Sequence, residues 1–149
     1  MLNRATPRMR RIANRLMVHE TPRKSAAKAV AAAFPVIDKL RPHLATLVSN
    51  GGVRALVARA LVLAAAEIAW LSAVQVNANG DIEGLETLGA VLDPETFLEG
   101  RVVLLAQLLG LLVAFIGPGL TSRLMDEIWP EVPLEERDFG EEHDHEKAA

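Results

Sequence analysis

Residues Arg101–Gly117 read RVVLLAQLLGLLVAFIG. After Arg101 the only polar side chain in this run is Gln107, and apolar residues fall on every side of the expected helix. A helix without a polar face has to be surrounded, either by protein or by lipid. Its start is marked upstream by Asp93-Pro94-Glu95-Thr96, an N-cap aspartate followed by proline at the first helical position and an acid in the first turn. Gly117-Pro118-Gly119 stops it, so the spacing predicts a helix over 94–116.

Working outward, Val53 to about Leu71 is a second strongly apolar helix. Val57, Leu61, Ala64, Ile68 and Leu71 form one stripe, with Leu56, Leu63 and Trp70 beside it. Arg54, Arg59 and Glu67 are its only charges. Glu67 reads as a rim or arginine-paired carboxylate rather than a proton-handling group. Before this helix, Ile37, Leu40, Leu44, Leu47 and Val48 keep helical spacing across Pro42, which implies a kink or two short helices. Asn50-Gly51-Gly52 reads as a stop.

After Trp70 the period changes. Val74-Gln75-Val76-Asn77 alternates, and Ala78-Asn79-Gly80 has the form of a three-residue hairpin loop with Gly80 left-handed. That register sets Asn77 opposite Asp81 and Val76 opposite Ile82, with strands of about Ala73–Asn77 and Asp81–Leu85. A final short helix is expected from about Leu120 to Trp129. Its stripe is Leu120, Leu124 and Ile128, with Met125 and Trp129 alongside. The fold class is therefore mainly α: a small helical bundle around two very apolar helices (about 53–71 and 94–116), a short β-hairpin near 73–85, a flexible basic N-terminal tail and a flexible acidic C-terminal tail.

Charge is distributed unevenly. Residues 1–54 carry eleven Lys and Arg against two acids, a net of +9, and residues 55–149 carry five against seventeen, a net of −12. The domain reading follows: a basic N-terminal arm over 1–22, a helical domain with the hairpin over 23–130, and an acidic disordered tail over 131–149. In the arm, Thr6 and Pro7 form a helix start. Met9, Ile12 and Leu16 share a face with Ala13 and Met17, while Arg8, Arg11 and Arg15 line another side. The candidate interaction residues are Arg4, Arg8, Arg10, Arg11, Arg15, Arg23, Lys24 and Lys28, and their density implies an anionic partner. A second basic helix over 23–34, ending before Pro35, continues the arm. No apolar segment follows the first basic residues as a secretory signal requires.

Several chemistries are not encoded. The chain has no cysteine, which excludes disulfides and thiolate metal sites. Asn77, Asn79, Asp81 and Glu83 do not make a calcium loop, because Ile82 stands where an EF-hand needs glycine. His143 and His145 are one residue apart and do not complete a metal site. Thr6, Thr21, Ser25, Thr46, Ser49 and Ser72 precede the hairpin, none in a nucleophile-elbow context, and Gly51-Gly52 lacks the Gly-Lys-Ser/Thr of a phosphate loop. No catalytic residue, metal or cofactor is expected.

The expected function is a non-enzymatic interaction or regulatory helical module, an adaptor or a self-associating protein, in the cytoplasm. Its partner is another protein or a second copy, with an anionic membrane surface as a further candidate for the arm. Nucleic acid is disfavoured, since residues 4–28 contain no aromatic side chain to stack on bases and the chain is acidic overall. The alternative is a small integral membrane protein with spans at about 55–76 and 102–120 and a cytoplasmic N-terminus. Against it stand Arg59 and Glu67 within one span and the Gly-Pro-Gly break in the other.

Overall fold

The chain folds around the long apolar helix, and its architecture is mainly α. The structure, a computed structural model, describes residues 7–19, 35–78, 80–130 and 132. Helices α1 (Pro7–His19) and α2 (Pro35–Glu67) come first, followed by a 3-10 turn over Ala69–Ala73. Strands β1 (Gln75–Val76) and β2 (Ile82–Glu83) lead into α3 (Leu85–Val91), α4 (Pro94–Ile116) and α5 (Pro118–Ile128). The expected helix over 23–34 and the tail beyond Val132 lie outside the described residues.

Helix α4 has the predicted bounds. Every residue from Val103 to Gly110 is buried, Gln107 included, which is what a helix with no polar face requires. It packs against α1, α2, α3 and α5. Each fully covered leucine among Leu104, Leu105, Leu108 and Leu109 contributes about 1.5–3 kcal/mol relative to exposure. Asp93 occupies the N-cap position in extended backbone, but its side chain makes no capping hydrogen bond. Gly117, at φ 92°, ends the helix.

The second apolar helix begins earlier and ends sooner than expected. It is the far half of α2, whose halves Val36–Ser49 and Gly51–Glu67 change direction by 120° at Ser49. The expected stop at Asn50-Gly51-Gly52 is instead the first turn of the next helix. Ser49 takes φ 69°, ψ 167°, a conformation costing about 1–3 kcal/mol for a non-glycine residue. The Gly52 N–H donates to Ser49 Oγ at 3.3 Å, so Ser49 caps the helix that follows and recovers part of that cost. Gly52 allows the close approach, since a Cβ there would meet Val48 Cβ at 2.8 Å. Ile68 to Ala73 leave the helix because the chain tightens into the 3-10 turn before the hairpin.

The hairpin has the expected register, Val76 opposite Ile82 and Gln75 opposite Glu83, with Asn77 N–H bonded to Asp81 O at 2.9 Å. Gly80 is left-handed at φ 86°. The strands are shorter than expected: Ala73 belongs to the 3-10 turn and Leu85 begins α3, a helix the periodicity did not indicate. Two arginines seat the loop in the bend of α2. Arg41 donates to Gly80 O at 3.3 Å and lies 3.4 Å from Asp81 Oδ1, and Arg54 Nε donates to Asn77 O at 3.1 Å.

Helix α1 has its apolar face in the core. Met9, Ile12, Ala13, Leu16 and Met17 are at most 5% exposed and pack with α4. The helix read as part of an arm is thus docked along residues 7–19, because α4 is apolar all round and offers a face to cover. Helix α5 starts at Pro118 and buries Thr121, Ser122, Leu124 and Met125, so its inward face is rotated from the expected stripe and Leu120 faces solvent. Trp129 closes the end of this helix at zero exposure.

Candidate functional site

Of the eight basic residues singled out, the structure describes Arg8, Arg10, Arg11 and Arg15; Arg4, Arg23, Lys24 and Lys28 lie outside the described residues. Arg11 and Arg15 are exposed one helical turn apart, and Arg8 is half-buried a turn before Arg11. The packed apolar side of α1 fixes which way they point. Arg10 is ion-paired with Glu67 at the end of α2, so this carboxylate is the arginine partner its setting implied. Asn14, between these arginines, shares a shallow cleft with Glu95, Thr96, Leu98, Glu99 and Val102 on the first half of α4.

A different surface lies where both long helices break. Residues 42–53 and 102–122 carry no Asp, Glu, Lys or Arg, and the two segments meet around the Ser49 bend and the Gly117 break. A groove of about 380 Å³ is lined by Leu47, Val48, Gly52, Ala55, Leu56 and Phe115. A second, of about 610 Å³, runs from His43 and Leu47 across to Leu120, Arg123, Asp126 and Glu127. Leu47 borders both. Phe115 is 63% exposed, Leu47 46% and Leu120 42%, which makes this end the main concentration of large exposed apolar side chains among the described residues. Phe115 is about 25 Å along α4 from Leu98, at 1.5 Å per residue, so the apolar end is separate from the cleft beside α1.

Sequence reasoning missed this surface. Leu47 and Leu120 are in helical register with buried neighbours, and Phe115 belongs to the run expected to be covered on all sides. The available signal was the coincidence of two helix breaks inside two uncharged stretches.

A third cluster joins the 3-10 turn to α4. Trp70 lies 5.8 Å from Phe97, centroid to centroid, and Arg101 stacks on the Phe97 ring at 4.3 Å. Arg101 is 3% exposed, and this desolvation lowers its pKa to about 10. Among the described residues no group of His, Asp and Glu comes together that could hold a metal ion. Comparison with known protein families, curated proteins and solved structures found no match to this chain.

Proposed function

We propose that this chain is a non-enzymatic interaction module of the cytoplasm that uses the basic side of α1 to hold an acidic segment of a protein partner. The observation that carries the reading is the docking of α1: Met9, Ile12, Leu16 and Met17 lock one side of the helix into the core, so Arg11 and Arg15 stand on a fixed platform. Ordering charges in advance lowers the entropy lost on binding. The test is titration of the full chain with a fluorescent poly-glutamate peptide at low and moderate salt. The Arg11→Glu/Arg15→Glu variant should keep its melting curve and lose most of the binding, and wild-type affinity should fall as salt rises. Binding that survives both changes refutes the reading. Preferential binding to vesicles containing phosphatidylserine would move the partner to a membrane surface.

A specific observation favours a second reading, an integral membrane protein. Helix α4 has 23 residues, about 34 Å at 1.5 Å per residue, and is apolar enough to cross a bilayer core of about 30 Å. Support for the module is that 67% of its most apolar window is already buried by the rest of the chain, as in the central helix of a bundle. Fractionation of the expressed protein without detergent separates the two. A monodisperse soluble species favours the module, and recovery only from membranes after alkaline washing favours the span.

A further inference from the structure

We propose that the uncharged end of the molecule, formed by the Ser49 bend and the Gly117 break, is the contact surface for a second copy of this chain in a two-fold dimer. This surface is distinct from the basic side of α1, so the proposal goes beyond the partner inferred above. Scattered exposed leucines are ordinary on a protein surface. Here Leu47, Phe115 and Leu120 converge on one end beside two grooves that share Leu47. Exposed apolar side chains gathered at one end, unlike scattered ones, form a candidate contact surface.

Two features select the occupant. The first is shape. A two-fold contact brings the same patch of both subunits together, so that patch has to supply both the projection and its receptor. Phe115 projects at 63% exposure from the wall of a groove whose other walls are Leu47, Val48, Gly52, Ala55 and Leu56. The second is charge. The rim of the larger groove carries Arg123 together with Asp126 and Glu127, all on α5. None of the three makes an ion pair among the described residues. A rim carrying both signs is self-complementary across a two-fold axis: Arg123 of one copy meets the acids of the other. The same rim suits a lipid surface poorly, because Asp126 and Glu127 are repelled by anionic headgroups.

The experiment is sedimentation velocity on the full chain across a wide concentration range, with light scattering as a second readout. Wild type should show a reversible monomer–dimer equilibrium. Phe115→Glu and Arg123→Glu should each weaken the dimer by about tenfold or more, with melting unchanged at concentrations where wild type is monomeric, since both side chains are exposed. The decisive arm is charge exchange. Arg123→Glu alone and Asp126→Arg/Glu127→Arg alone should be mainly monomeric, and an equimolar mixture of the two should recover a heterodimer. A wild-type monomer at every concentration overturns the proposal, as does a dimer indifferent to these substitutions or a mixture that stays monomeric. Flotation of monomeric wild type with phosphatidylcholine vesicles, abolished by Phe115→Glu, would also overturn it and assign the surface to lipid. Arg11→Glu/Arg15→Glu should leave the dimer intact, so failure of the α1 reading and failure of this one are separately visible.

Discussion

Gly100→Ala adds one methyl group where the Trp70 ring of the 3-10 turn lies against α4. A Cβ at Gly100 would lie 2.8 Å from both Cε2 and Cη2 of Trp70, and closer still to Cζ2. The ring has to move, and moving it disturbs its contact with Phe97, worth about 0.5–1.5 kcal/mol. Overpacking at a covered site costs about 1–3 kcal/mol, and this approach belongs in the upper part of that range. Alanine returns about 1 kcal/mol as the better helix former. The net expectation is a loss of about 1–2 kcal/mol, or roughly 3–6 °C in Tm for a chain of this size. Gly51→Ala is the matched control, since a Cβ there meets only Ser49 Oγ at 4.0 Å, and its Tm should rise. Melting by far-UV circular dichroism at one fixed concentration reads both variants. Tryptophan emission reports the ring, because Trp129 is fully buried elsewhere and should not respond. An equal rise in Tm for both variants, with unshifted emission, would refute the packing of Trp70 on Gly100.

Leu108→Asp places an unpaired carboxylate at a site of zero exposure in the middle of α4, and should abolish cooperative melting, since several kcal/mol is a large part of a domain's stability; a folded variant within a few degrees of wild type would mean the helix is placed wrongly. Gly80→Val should lower the unfolding free energy, read by denaturant titration, by about 1–2 kcal/mol or more because φ is 86°, while Gly80→Asn should lose less; equal losses would count against a left-handed residue there. Arg101→Met keeps the bulk against Phe97 and removes a buried charge. With the pKa lowered to about 10, the folded state releases this proton before the unfolded chain does, so wild type gains stability as pH climbs above 10, and below 10 the buried charge opposes folding. The variant should lack this rise, so its stability relative to wild type should fall as pH climbs above 10; a difference that does not change with pH would refute the linkage.

The hairpin shows what a sequence reveals locally. The three-residue loop length sets the register, and the alternation at Val74–Asn77 agrees with it in parity, so Val76 faces Ile82. Strand length was not legible, because Ala73 and Leu85 are claimed by the flanking helical turns. Residues 49–52 show an ambiguity of another kind. Glycines that end one helix also permit the close start of the next, and the informative residue was Ser49, three positions before Gly52, where a cap belongs. The period of α1 was readable, but its cover was not, since the covering helix is apolar all round and marks no face for it. For the same reason the exposed end escaped notice. Whether Leu47, Phe115 and Leu120 are covered depends on where neighbouring helices stop, and no local period records that.

The placement of α4 also orders events during synthesis. Leu16 and Leu40 are among the first core residues to be made, and the helix at the centre of their core comes last but one. About 100 residues separate α1 from the end of α4, roughly 5–20 s of elongation at about 5–20 residues per second. During that interval the nascent chain carries apolar helix faces with nothing to lie against. Early helices this short are marginal by themselves. The core is therefore completed only once residue 116 has been made, and a chain truncated before it should expose apolar helix faces and be cleaved faster by protease than the full chain.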